Sequence, residues 1–125
     1  MSKLKILVID DEPDFCFFLK ENLELTGSYE VTTAVSGAEG LARAIRERPD
    51  LILLDLLLPR IDGARIYHEL DNLPATRHIP TVILTAVDVS TAREHIPELP
   101  KEAFLTKPIQ LVELKACIER ILQKG

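Results

Sequence analysis

Basic residues are too few in this chain to neutralise a polyanion: 15 Lys and Arg stand against 20 Asp and Glu, leaving a net charge of −5. Without a basic stripe, direct binding to nucleic acid or to an anionic membrane is not expected. Cysteine is nearly absent. Cys16 and Cys117 lie far apart and lack metal-ligand spacing, which argues against a disulfide framework and a thiolate zinc centre. Long apolar runs are missing too, because the stretch at residues 6–9 ends in two acids and is too short for a secretory segment, and nothing approaches transmembrane length. A cytoplasmic address is the expectation these absences leave. Aromatic residues make up only 5%, yet 46% of the chain is apolar and no low-complexity tract or solenoid repeat interrupts it. Residues 1–125 are therefore expected to form a single domain with one core.

What is present is a regular alternation of short apolar runs and helical stripes. Residues 5–9 read as a strand ended by Asp10 and Asp11, and Pro13 sits where the first turn of a helix tolerates it. Phe15, Phe18, Leu19, Asn22 and Leu23 form one stripe of that helix, leaving Cys16 and Phe17 off the inward face, and Gly27 is its stop. Tyr29, Val31 and Thr33 alternate as a second strand does. Ser36 is an N-cap candidate for a helix whose inward positions are expected at Ala38, Leu41, Ala42 and Ile45, with Pro49 closing it.

Residues 51–54 make a third strand, and Pro59 with the Asp62-Gly63 turn leads into a helix through Ala64, Ile66, Tyr67 and Leu70. The fourth strand is residues 81–85. Residues 90–96 predict a helix that Pro97 and Pro100 keep short, since proline inside a helix costs about 3 kcal/mol. A fifth strand at 103–106 and a last helix at 109–122 follow, the helix facing inward with Leu111, Leu114, Ile118 and Ile121. Five strand-then-helix units predict a doubly wound α/β fold, a five-stranded parallel sheet with helices on both faces. In such folds the ligand site lies at the carboxyl ends of the strands, where strand order reverses.

Three carboxylates fall at those ends: Asp10 and Asp11 after the first strand, and Asp55 inside an otherwise apolar window. Helix capping is an alternative reading of each. As a cluster they need compensation, because like charges near 4 Å repel by about 4 kcal/mol at an effective dielectric of about 20. A divalent cation supplies it, and oxygen-only ligands favour Mg²⁺ over zinc. Thr85 and Lys107 end the fourth and fifth strands with a hydroxyl and an ammonium. His68, His78 and His95 show no ligand grouping.

The strings Val8-Ile9-Asp10-Asp11-Glu12-Pro13, Leu54-Asp55-Leu56-Leu57-Leu58-Pro59-Arg60-Ile61-Asp62-Gly63, Ile83-Leu84-Thr85-Ala86 and Phe104-Leu105-Thr106-Lys107-Pro108 together resemble the receiver domains of response regulators, over the whole chain. The resemblance implies a flavodoxin-like receiver with strand order 2-1-3-4-5. It implies that Asp55 is the phosphoacceptor, that Asp10, Asp11, Asp55 and the Leu57 carbonyl hold Mg²⁺, and that Thr85 and Lys107 contact the phosphoryl group. It further implies a switch pair in Thr85 and Phe104 and a cis bond at Lys107-Pro108. The partners it implies are a sensor histidine kinase or histidine phosphotransfer protein and a downstream protein. Such a chain is no enzyme in the ordinary sense, catalysing only its own phosphorylation and dephosphorylation.

Leu57 and Val87 depart from the family pattern, being apolar where many receivers carry polar groups able to guide water. Pro97 and Pro100 disturb the fourth helix, which makes dimerisation by that face doubtful. An exposed Phe17 near the start of the first helix is a candidate docking contact for the histidine-bearing partner. Three other readings share parts of the pattern. A Mg²⁺-dependent phosphohydrolase lacks an evident general acid, a flavodoxin-like electron carrier has acids where a flavin phosphate needs donors, and a phosphorylation-silent module leaves the acid, hydroxyl and lysine set unexplained.

Overall fold

The apolar runs at residues 6–9, 51–54 and 82–84 have no polar face, and such runs are stable only when both sides of a sheet are covered. A computed structural model describes residues 3–58 and 62–123 and shows that arrangement. Strands β1 (Leu4–Ile9), β2 (Tyr29–Ala34), β3 (Leu51–Asp55), β4 (Thr81–Thr85) and β5 (Phe104–Thr106) form one parallel sheet in the order 2-1-3-4-5. Helices α1 (Pro13–Glu24), α2 (Gly37–Glu47), α3 (Gly63–Asn72), α4 (Val89–His95) and α5 (Leu111–Gln123) connect or follow them. The turn expected at Pro59, with Arg60 and Ile61, lies outside the described residues.

Alternate residues of each strand feed two cores. Leu7, Ile9, Ile52, Leu54 and Ile83 face α2, α3 and α4, whereas Ile6, Val8, Leu51, Leu53 and Leu84 face α1 and α5. Each fully buried aliphatic side chain contributes about 1.5–3 kcal/mol, so these two layers dominate the stability of the sheet. At the β2 edge, Lys20 donates to the Val31 carbonyl (2.7 Å) and Glu24 accepts from the Val31 amide (2.9 Å). Those bonds occupy edge groups that would otherwise template another strand. Among the described residues no helix is long and apolar enough to cross a membrane.

Caps and stops follow local chemistry. Ser36 caps α2 by accepting from the Glu39 amide, Asp62 caps α3 through the Ala64 amide, and Asp88 caps α4 through the Thr91 amide. Pro13 opens α1, and Gly27 stands beyond its end at φ 80°. The short α4 agrees with the two prolines behind it.

Two helix faces differ from the stripe the sequence predicts. On α1 the buried residues are Cys16, Leu19 and Leu23, while Phe18 is 43% exposed. The small Cys16 side chain fits over the end of β1, where its thiol donates to the Asp10 carbonyl at 3.3 Å. On α2 the inward face is Gly37, Gly40 and Ala44, with Leu41 half-buried; Ala38, Ala42 and Ile45 point outward. The helix lies so close to the sheet that a Cβ on Gly40 would stand 2.5 Å from an Ile9 methyl. Close approach selects the smallest residues, and a hydrophobic stripe does not report it.

Candidate functional site

Four of the five parallel strands, β1, β3, β4 and β5, deliver polar groups to the same rim of the sheet. Asp10 follows β1 directly; its amide donates to the Ala34 carbonyl (3.0 Å), and the residue is fully buried. One Asp10 oxygen accepts from the Glu12 amide at 3.0 Å, and the other accepts from the Lys107 ammonium at 2.7 Å. Asp55 is the last residue of β3 and is buried; its Oδ1 accepts from the Leu57 amide at 3.1 Å. Thr85 closes β4, fully buried, with Oγ1 accepting from the Val87 amide at 3.0 Å. Lys107 follows β5 with its amide on the Thr85 carbonyl at 2.7 Å, and its bond to Pro108 is cis.

Asp10, Asp11 and Asp55 each offer a carboxylate oxygen, and these oxygens lie within 4.8 Å of one another. The Lys107 ammonium is 3.5 Å from Asp55 Oδ2 and 3.5 Å from Glu12 Oε1. Burial raises the Asp55 carboxyl to about 6; the Leu57 amide pulls it down and the Asp10 charge pushes it up again. Burial works against the Lys107 charge, but its hydrogen bond to Asp10 and the charges of Asp10, Asp55 and Glu12 outweigh that, so its pKa is raised. One ammonium therefore faces several acids, and the excess of oxygen ligands suits a hard divalent cation such as Mg²⁺. Burial and the Asp10 charge push the Cys16 thiol up to about 11, so it stays protonated beside this cluster.

Of the residues singled out from sequence, Asp10, Asp11, Asp55 and Lys107 come together in one cluster, with Thr85 on the adjoining strand end. Leu57 sits next to it and is 56% exposed. Phe104 is buried two positions before Thr106, the partner of Thr85, and pairs with Ile83 in the same register. Side chains paired in register share a face, so Thr85 and Phe104 project to the same side of the sheet. Phe17 is 63% exposed, as its place off the inward stripe implies.

Sequence reasoning missed other members of this neighbourhood. Glu12 joins the lysine's acids, and the run of three acids was a signal for it. Phe15 places its ring under the Lys107 ammonium, 4.5 Å from centroid to nitrogen, which no local pattern announces. A cleft of about 470 Å³ opens beside the cluster, lined by Asp11, Leu57, Val87, Thr91 and His95 among others. Its walls are apolar near the acids because Leu57 and Val87 stand there. Away from the cleft, His68 lies 2.9 Å from Glu98 and bridges α3 and the segment after α4 at the surface.

Proteins with this geometry are known. Residues 6–119 match the response regulator receiver domain family. Response regulator PleD of Caulobacter vibrioides is 41% identical over 117 residues, which cover 94% of this chain and 26% of PleD. The alkaline phosphatase synthesis transcriptional regulatory protein PhoP of Bacillus subtilis is 38% identical over 121 residues, covering 97% of this chain and 49% of PhoP. The chain thus spans half or less of the length of these curated relatives. Among solved structures, the receiver domain of a sensor histidine kinase from Pseudomonas aeruginosa superposes with a TM-score of 0.86 at 29% identity. The match covers 98% of this chain and 99% of that one, which was solved with a magnesium ion coordinated in its active site cleft. Sequence and architecture agree along nearly the whole length, and the chain belongs to the response regulator receiver domains of two-component signalling.

Proposed function

We propose that Asp55 is the phosphoacceptor of this receiver, that Mg²⁺ completes its site, and that the donor is a sensor histidine kinase or a histidine phosphotransfer protein. The observation that carries this reading is the convergence of three carboxylates and one ammonium at the strand ends. Residues 1–125 are taken as a single receiver domain that works as a phosphorylation-controlled switch for a downstream protein. The proposed address is cytoplasmic, and both proposed partners are proteins.

Phosphoryl transfer needs positioning and charge neutralisation more than it needs covalent help from the protein. The ionised Asp55 carboxylate forms the new O–P bond as the N–P bond of the donor phosphohistidine breaks, and the leaving imidazole takes a proton from solvent. Asp10, Asp11 and Asp55, with the Leu57 carbonyl, would hold Mg²⁺, which when bound offsets charge on the phosphoryl oxygens. Lys107 moves its ammonium from the Asp10 oxygen toward a phosphoryl oxygen. Thr85 Oγ1 already accepts from Val87, so its own proton is free to be donated to the phosphoryl group. Beyond that self-directed chemistry no turnover of a separate substrate is assigned to the chain.

Incubation with a small-molecule phosphodonor and Mg²⁺ is expected to add one phosphoryl mass to the intact protein, and a chelator is expected to prevent it. Uptake that ignores the chelator would remove the metal from the proposal, and no uptake with Mg²⁺ would remove the phosphoacceptor.

Switching is assigned to Thr85 and Phe104, which share a face of adjoining strands. Movement of the Thr85 hydroxyl toward the phosphoryl group leaves space that the Phe104 ring can follow into, and a coupling of about 1–3 kcal/mol biases such an equilibrium. Phe104→Ala is expected to keep phosphoryl uptake and to weaken phosphorylation-dependent partner binding. Equal partner affinity in the phosphorylated variant and wild type would take the switch role away from Phe104.

A further inference from the structure

The ammonium of Lys107 rests in a seat with four walls. Three are anionic: Asp10 at 2.7 Å, Glu12 at 3.5 Å and Asp55 at 3.5 Å. The fourth is the ring of Phe15, with the nitrogen 4.5 Å from its centroid. Phe15 stands in the first turns of α1, half-buried, with part of its surface against the core layer shared by α1 and α5. Two of the anionic walls, Asp10 and Asp55, are also the residues that would hold a divalent cation. When their oxygens turn to a metal, their attraction for the ammonium falls. The ring cannot be taken in this way, because it carries no ligand atom and attracts a cation through its quadrupole.

We propose that Phe15 is a positioning residue for Lys107: its ring keeps the ammonium at the phosphoacceptor pocket while the carboxylates are engaged by the metal. This rests on the reading that Lys107 pairs with the incoming phosphoryl group. The plain alternative is that Phe15 only covers the flank of the core. The two differ in one respect, since leucine keeps an apolar side chain on the core flank but has no ring face, whereas tyrosine keeps both.

Proton NMR of the wild-type chain decides the first part. The Lys107 ε-methylene protons, bonded next to a nitrogen 4.5 Å above the Phe15 centroid, are expected upfield of ordinary lysine values and to remain there at saturating Mg²⁺. A return to ordinary values on adding Mg²⁺ would overturn the proposal, whatever becomes of phosphoryl uptake. Phe15→Leu is expected to abolish the upfield shift and to slow uptake from a small phosphodonor about fivefold at saturating Mg²⁺. The dissociation constant for Mg²⁺, measured by calorimetry, stays as in wild type. Phe15→Tyr is expected to restore both the shift and the rate. A leucine variant that takes up phosphoryl at the wild-type rate, or a tyrosine variant as slow as leucine, would reduce Phe15 to core packing. Failure of wild type to take up phosphoryl at all would instead sink the phosphoacceptor reading, with the NMR result still standing on its own.

Discussion

Asp55→Asn is expected to end phosphoryl uptake and at the same time to raise thermal stability at neutral pH in magnesium-free buffer. The loss is a matter of nucleophile chemistry: an amide oxygen in that position cannot form a stable acyl phosphate, and no other side chain stands in its place at the end of β3. The gain is electrostatic. The Asp55 carboxyl is raised from its ordinary 3.8 to about 6, chiefly by burial. Between those two pH values the folded chain keeps a proton that the unfolded chain has released, so stability falls as pH rises through the window. Above about 6 the penalty is present in full, and below about 4 it vanishes because both states are protonated.

A two-unit displacement corresponds to at most about 3 kcal/mol, and local relaxation brings the expected gain to about 1–3 kcal/mol. Asparagine keeps an acceptor for the Leu57 amide, so the loop need not rearrange. The check is the difference in Tm between variant and wild type across pH, which should open between pH 4 and 6 and stay open above it. A difference that does not depend on pH contradicts the electrostatic account. Uptake of phosphoryl by the variant contradicts the assignment of the acceptor.

Gly63→Ala is expected to cost about 2–4 kcal/mol, more than typical overpacking, and to impair the site as well. A Cβ at this position would lie 2.3 Å from the Asp55 carbonyl oxygen and 2.7 Å from both the Cα and the carbonyl oxygen of Leu56. Those atoms are backbone, so no side chain can swing aside to make room. The Gly63 amide also donates to the Leu56 carbonyl at 2.9 Å, which fastens the start of α3 to the end of β3. Either the helix lifts or the strand end shifts, and the strand end carries Asp55.

The expected readings are a Tm lower by about 10 °C and slower phosphoryl uptake measured well below the transition. Gly27→Ala is the contrast: its φ of 80° is strained for alanine, but nothing lies within 4 Å of the added carbon. That variant should lose only about 1 kcal/mol and keep its phosphoryl uptake rate. Equal stability of the two variants would mean that the close contact at Gly63 relaxes without cost.

The strands and most helix starts were legible because each rests on local chemistry. Residues 51–54 have no polar face to expose, Ser36 carries a capping oxygen, Asp62-Gly63 marks the turn before α3, and Pro97 and Pro100 limit α4 wherever the helix packs. Helix faces were less legible. Periodicity weighs hydrophobicity, so it favoured Phe18 on α1 and Ala38 with Ile45 on α2. The buried positions it passed over are Cys16 on α1 and Gly37, Gly40 and Ala44 on α2, small residues that let each helix lie close on the sheet. The candidate site divides in the same way. Asp10, Asp11, Asp55, Thr85 and Lys107 could be picked out because polar residues ending apolar strands are conspicuous. Phe15 and His95 could not, since an aromatic residue on a helix and a histidine near its end have ordinary local explanations.

From its sequence alone this protein was committed to an alternating α/β chain with acids, a hydroxyl and an amine at the strand ends, because hydrogen bonding and burial over a few residues decide that much. Only the tertiary structure decided that Lys107 reaches Asp10 across 97 positions, at 2.7 Å. It also decided that the Phe15 ring lies under that ammonium, and that Asp55 is buried, which pushes its carboxyl up to about 6. Such distances depend on how strand order and helix packing fold distant segments onto one rim, and desolvation exists only once that packing is complete.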